Sequence, residues 1–498
     1  MKRTGLRILL ACALAACAGC SSDPGKVLGR YAAPFYGDPD KLNPSIALAA
    51  ALATQTFAVW STGTHTAAPV VIGSLGPAAY TDRLKGVIQN TDIAPVMEAA
   101  LKNNVDVVLV IGDGLGAMHL SLPLYLAVAR RDSAETYFEK ILREGRAGLC
   151  LTNAWDMLVT CSAAGATAIS SGNKTRLSML GVSPDGRPVE SILRRAEAMG
   201  KSTGLLTDTR LTHATPAAFY AHKTSRSDEA AIASMLALDS VEVLMGGGAC
   251  VFIPESTKVS DHPLLKGLRA GALCKSLRKD RQDLLSGMVR KGYSAAVTRE
   301  DLQTMASREK ILGLFAGDAM NTAIDRDDEN TGEPGLPEMA DAALKSLSMS
   351  KKGFFLMAEC GQIDWNAHAH DAGALLKSVE EMDRVLGVCW RFYRARPEKT
   401  LIIFTADHET GGFGIAYGYL NPPDSACLLP GGTWRINYSG LPFAELLKYA
   451  KQDKSLSAMI AGADSPSGLM DEVKAHTAWR LSRPDARLVM RLKKRETE

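Results

Sequence analysis

Val105-Asp106-Val107-Val108-Leu109-Val110-Ile111-Gly112-Asp113-Gly114-Leu115-Gly116 begins as a run of branched apolar residues and ends on a carboxylate set between glycines. A continuous apolar run of this length, without polar alternation, predicts a strand buried on both faces, the kind found in parallel sheets. Runs of the same character recur at 203–206, 241–245, 354–357 and 401–404. Segments 189–199, 227–238, 336–348 and 372–393 instead repeat apolar residues at the three-and-four spacing of helices. Alternating strands and helices predict an α/β fold, with a mainly parallel central sheet covered by helices on both faces. Ligands of such sheets bind beyond the carboxyl ends of the strands, and polar clusters follow several of the apolar runs.

The chain has 498 residues, 46% of them hydrophobic and 22% charged, which suffices for a large buried core. A net charge of +3 and no long basic run before the extreme C-terminus exclude a dense phosphate-backbone surface, so no nucleic-acid partner is expected. Lys2, Arg3 and Arg7 precede the short apolar run Ile8–Leu14, the pattern of an export signal over residues 1–20. Leu14-Ala15-Ala16-Cys17 resembles a bacterial lipobox, and Cys20 is a second candidate, so a periplasmic or cell-surface protein held to the membrane by an N-terminal lipid is expected. Seven further cysteines, at 150, 161, 250, 274, 360, 389 and 427, include no CxxC pair and spell no disulfide framework. Residues 21–80 read as an N-terminal extension, 81–414 as the catalytic core and 415–498 as a cap-like helical region after a Pro/Gly-rich break.

Five clusters carry chemistry. Asp113 stands at a strand end where glycines let other groups approach closely, although alone it reads as a turn. Ser162 lies in the Ala-rich run Cys161–Ala168, suited to a tightly packed helix whose N-terminus favours an anion or an incipient alkoxide; an N-cap serine is the plainer reading. His213 and Thr215, two apart, share one side of an extended segment, and Arg226 follows as a fork for phosphate. Glu359 ends a strand, and Asp364 and His368 are one helical turn apart. Asp407-His408 leaves the last strand. Oxygen and nitrogen donors without thiolate suit catalytic zinc with open positions.

Together, from Val105 to Gly412, these clusters resemble the alkaline phosphatase family. The resemblance implies phosphate monoester hydrolysis through a phosphoserine on Ser162, with two zinc ions, one magnesium ion and a homodimer. It implies Asp113, Asp407 and His408 around one zinc, and Asp364 and His368 at the second. It also implies Asp113, His213, Thr215 and Glu359 at the third ion, and Arg226 on the phosphoryl oxygens. Sulfatases and phosphodiesterases share single motifs, and a catalytically impaired metal-binding lipoprotein is the reading from another class.

Two departures stand out. Cys161 occupies the position where the family usually has an aspartate that orients the arginine. The family also places a third ligand of the second zinc in a strand after the cap, in a Gly-His-Thr context. Past position 408 only His476 is available, in a helix-like pattern, so the sequence predicts an incomplete second site and weak zinc binding there, with the chain ending before the last core strand.

Overall fold

The computed structural model describes residues 42–132, 135–305, 309–326, 331–416, 418–419, 425–429, 432–436, 438–439 and 443–497. The residues read as an export signal, Cys17 and Cys20 included, lie outside these.

The N-terminal part begins with helix α1 (Pro44–Thr56), started by proline in its first turn and by the Asn43 side chain, which accepts the Ser45 N–H at 2.8 Å. Three strands follow, β1 (Ala58–Trp60), β2 (His65–Thr66) and β3 (Val70–Leu75), then β4 (Gly86–Gln89). Strand β5 (Asp106–Gly112) is the apolar run first quoted, and all seven of its residues are buried. After β6 (Arg146–Leu151) comes helix α2 (Ser162–Ser171), then β7 (Ser202–Arg210), β8 (Val243–Gly247), β9 (Ser294–Ala296), β10 (Ile311–Leu314) and β11 (Phe354–Cys360). Helices α3 (Gln362–His368) and α4 (Ala372–Ala395) lead to β12 (Thr400–Thr405), β13 (Glu409–Thr410) and β14 (Phe413–Ile415).

Ten strands form the main sheet in the order β4-β6-β3-β12-β5-β11-β7-β8-β10-β9. Every neighbouring pair is parallel except the two made by β3, which runs against both β6 and β12. The expected α/β class, mainly parallel sheet and helical cover are therefore present, and the five apolar runs are β5, β7, β8, β11 and β12. Their carboxyl ends line up on one edge, because Ile111 is in register with Glu359 and with Thr405.

The stretch read as an extension over 21–80 supplies more than a flank. Its β3 sits inside the sheet beside β12, β2 pairs with β13, and β1 pairs with β14. Helix α1 packs on the far end of the chain, where α5 (Leu456–Gly462), α6 (Pro466–His476) and α7 (Arg483–Thr497) form a helical cluster. Leu48 and Leu52 join Met459, Leu469, Val489 and Leu492 in the core there, and Gln55 Nε2 donates to the Arg480 carbonyl at 2.7 Å. The region after 415 also contains two short antiparallel pairs, β15 (Gly418–Tyr419) with β18 (Tyr438–Ser439) and β16 (Ser425–Leu429) with β17 (Gly432–Ile436), alongside the expected helices. Among the described residues no helix is long and apolar enough to cross a membrane, and the six cysteines whose side chains are described are free thiols.

Candidate active site

Three strand ends meet at the edge of the sheet. Asp113 follows β5, Glu359 is near the end of β11, and Asp407 follows β12; all three are fully buried. Gly114 makes this convergence possible. Its φ of +70° suits glycine, and a Cβ there would lie 2.7 Å from Thr410 Oγ1 and 2.8 Å from Asp364 Oδ1. Small residues in α2 have the same kind of reason. A Cβ on Gly165 would stand 2.7 Å from the Asp407 carbonyl, so the helix can rest against the strand end only because that position is bare.

That contact brings the first residue of α2 to the carboxylates. Ser162 is 2% exposed, and its Oγ lies 3.2 Å from His408 Nε2. The same imidazole nitrogen is 3.3 Å from Asp113 Oδ1 and 3.5 Å from Asp407 Oδ2. Burial, then the stacked His65 ring, holds His408 well below the usual imidazole range.

Asp113 also belongs to a second group. Its Oδ2 accepts from Thr215 Oγ1 at 3.3 Å, and it converges with His213 and Glu359, whose Nδ1 and Oε1 are 3.5 Å apart. Thr207 and Thr209 hydroxyls hold the other oxygen of Glu359. Arg226 Nη2 donates to His213 Nε2 at 2.8 Å, so the guanidinium faces this group.

The third group is where the structure corrects the sequence reading. Asp364 and His368, four apart on α3, approach to 3.4 Å, and beside them stands His65 from β2. Its Nε2 is 3.2 Å from His368 Nε2 and 3.8 Å from Asp364 Oδ1, and its ring stacks on His408 with centroids 3.7 Å apart. The pairing of β2 with β13 sets this up, since His65 is in register with Thr410, the residue whose hydroxyl donates to Asp364. Thus a third donor candidate is present, ahead of the core instead of after the cap, where it was sought by chain order. His476 is elsewhere, on α6, with Nδ1 2.8 Å from Asp453 Oδ1. The signal was legible: Thr62-Gly63-Thr64-His65-Thr66 is close to the Gly-His-Thr context, but it precedes the core instead of following it.

Both rings of the third group are fixed from behind. His65 Nδ1 donates to the Thr160 carbonyl at 2.9 Å, and His368 Nδ1 donates to the Gly63 carbonyl at 2.8 Å. Each Nε2 is thereby left facing the group, and two ring nitrogens 3.2 Å apart beside a carboxylate suit a shared cation. The other two groups are marked instead by unpartnered buried polar atoms. Asp113 Oδ1, His213 Nδ1, Glu359 Oε1 and Asp407 Oδ2 are buried without any hydrogen-bond partner. Four buried carboxylates also face one guanidinium, an imbalance that divalent cations would neutralise.

The carboxylates split accordingly. Burial, reinforced by Asp407, lifts Asp113 well above the usual range, and burial with Asp364 lifts Asp407 to about 7. Asp364 is also pushed up by burial, but His368, His408 and His65 outweigh this and hold it at about 2.

Cys161, at the N-cap of α2, makes no contact that orients Arg226. Its sulfur accepts the Ser178 N–H at 3.3 Å.

Strand-end carboxylates, a buried serine and three converging donor groups define an α/β protein with groups that could hold metal ions beside a serine hydroxyl. The family model of alkaline phosphatase matches residues 104–430, and the chain belongs to the alkaline phosphatase family. Alkaline phosphatase 4 of Bacillus subtilis is 32% identical over 341 residues, 66% of this chain and 66% of that protein. Alkaline phosphatase 3 of the same organism is 32% identical over 369 residues, 71% of this chain and 72% of its own length. Among solved structures, Thermus thermophilus alkaline phosphatase superposes with a TM-score of 0.64 at 28% identity, over 79% of this chain and 76% of that one. The alkaline phosphatase of the Antarctic bacterium TAB5 gives 0.53 at 29% identity, over 68% and 88%.

Proposed function

We propose that the chain hydrolyses phosphate monoesters through a phosphoserine on Ser162, with two zinc ions and one magnesium ion as cofactors. Asp113, Asp407 and His408 would hold the first ion, and His65, Asp364 and His368 the second. Asp113, His213, Thr215 and Glu359 would hold the third. When bound, such ions neutralise phosphoryl charge and make oxygen nucleophiles available at neutral pH.

The chain's own residues do the rest. Ser162, at the N-terminus of a buried helix, presents Oγ to phosphorus with the helix dipole favouring the anionic group. Oγ forms the new P–O bond, the bond to the alcohol oxygen breaks, and the alcohol departs with a proton. Water then attacks phosphorus, returns Oγ and releases inorganic phosphate. Arg226 pairs with the equatorial oxygens. The observation carrying this reading is the placement of Ser162 Oγ 3.2 Å from His408 Nε2, next to buried donors that have no other partner. A catalytically impaired scaffold was motivated by Cys161 and a missing ligand; His65 supplies a candidate for the ligand, and Cys161 remains.

The same reading takes the protein as exported and lipid-tethered at Cys17 or Cys20, supported by the N-terminal sequence. The test is hydrolysis of p-nitrophenyl phosphate with added Zn²⁺ and Mg²⁺ by the full chain and by Ser162→Ala. A loss of kcat of about 10⁴-fold or more is expected; activity that survives would remove Ser162 from the mechanism.

A further inference from the structure

Fifteen large apolar side chains are exposed among the described residues; four of them, Trp155, Met157, Leu158 and Val159, fall within five residues just before Ser162, and a fifth, Leu177, lies on the segment hydrogen-bonded beside them. Leu158 is 75% exposed and Trp155 60%. Isolated exposed apolar residues need no explanation, but a cluster on two adjoining segments marks a binding surface.

The loop is held firmly from beneath. The Ala154 N–H donates to the Met157 carbonyl at 3.0 Å, and Lys174 Nζ donates to the Asn153 carbonyl at 2.5 Å. Trp155 N–H reaches the Thr175 carbonyl at 2.9 Å, and Asp156 pairs with Arg176. These bonds lay residues 154–159 beside 175–178, so Leu177 adjoins the other four. They also engage the charges of Asp156 and Arg176 with each other, and leave the protruding side chains uncharged.

Both strips run directly into the site. Thr160 follows Val159 and accepts from His65 Nδ1, while the Ser178 carbonyl accepts the Arg226 N–H at 2.9 Å. Leu158 is four residues from Ser162, so their Cα atoms are within about 14 Å of each other. A phosphoryl group at Ser162 would leave its alcohol close to this apolar rim.

Resting on the phosphomonoesterase reading above, we propose that the rim binds the alcohol part of the substrate and that this part is a hydrocarbon chain, making the preferred substrate class single-chain amphiphilic phosphate monoesters. A second copy of the protein is the competing occupant, but five side chains fall well short of the roughly 20–30 residues a side in a stable interface. One alkyl chain is commensurate with five side chains on two adjacent strips.

The test has two independent readouts on the full chain with Zn²⁺ and Mg²⁺. The first is the ratio of kcat/KM for dodecyl phosphate, below its micelle concentration, to that for glycerol phosphate. It is expected to exceed about tenfold and to fall by a similar factor in Leu158→Ser and Met157→Ser. The second is the tryptophan emission lost in Trp155→Phe, which should shift to shorter wavelength when dodecylphosphonate, which has no ester bond to cleave, is added. If neither ester is hydrolysed but the Trp155 shift occurs, the hydrolytic reading fails and the subsite stands. A ratio near one without a shift overturns the subsite. So does an equal loss on both esters in the two variants, or dissociation of a dimer by Leu158→Ser.

Discussion

The pocket of Asp113, Asp407 and His408 and the pocket of His65, Asp364 and His368 touch through stacked imidazoles, yet they are built on different principles. The first is made where two adjacent parallel strands end in register, and its side chains have no exposure at all. The second joins one turn of a seven-residue helix to a two-residue strand from near the other end of the chain, with His65 at 15% and His368 at 35% side-chain exposure. A pocket that grows out of the sheet is as rigid as the sheet. One that is assembled from small pieces depends on whatever clamps those pieces together.

Substitution at each pocket gives the largest expected contrast. Asp113→Ala removes a donor shared by two groups and should lower kcat by about 10³-fold or more, whereas His65→Ala should cost about 10²-fold and selectively release one ion. Metal content after dialysis checks this, and an unchanged ion count in His65→Ala would exclude His65 as a ligand. Next in size is the clamp. Glu409 lies opposite Thr66 in the β2–β13 pair, accepts its hydroxyl, and also accepts the Gly412 N–H at 2.9 Å. Glu409→Gln should therefore weaken one metal affinity by about 10–100-fold, as loss of a supporting partner does, and leave the Asp113/Asp407/His408 affinity nearly unchanged. Competition titration with a zinc chelator separates the two.

A smaller effect is expected at Cys161. Because its thiol engages Ser178 and not Arg226, phosphate should be gripped loosely, and Cys161→Asp should strengthen inhibition by inorganic phosphate about tenfold. Equal inhibition constants in the two proteins would contradict this. The smallest effect concerns Asp371, just beyond His368. It is buried and accepts from the Ala374 and Leu456 N–H groups and from Gln452, tying α4 to the C-terminal helices. Burial raises it to about 6 from an ordinary 3.8. The folded state thus binds this proton more tightly than the unfolded chain, so stability from this group is full below about pH 4 and falls as pH rises to 6. The stability advantage of the wild type over Asp371→Asn should shrink across that window in urea unfolding, and a constant difference would contradict the assignment.

This contrast also explains what the sequence disclosed. Pattern reading works on continuous segments, so strand runs with a carboxylate at the end, such as 105–113 and 401–407, carried both fold and site. Asp364 and His368 were legible because one helical turn links them. His65 was not placed, because its pairing with β13 is a tertiary contact that leaves no periodic trace, and β2 is too short to show alternation. Likewise β3 reads as a strand only once the sheet is seen, since Gly73 and Ser74 interrupt its apolar character.

The threading of β2 and β3 has a consequence for biosynthesis. His65 is among the first site residues to leave the ribosome, while His368, which its ring touches, is made 303 residues later. At about 5–20 residues per second, that gap is on the order of half a minute. Through this interval β2 lacks its native partner β13, and pairings of such sequence separation are slow to form. Completion of the second pocket would thus report that the chain has been made at least as far as Thr410, making metal uptake there a late event in maturation.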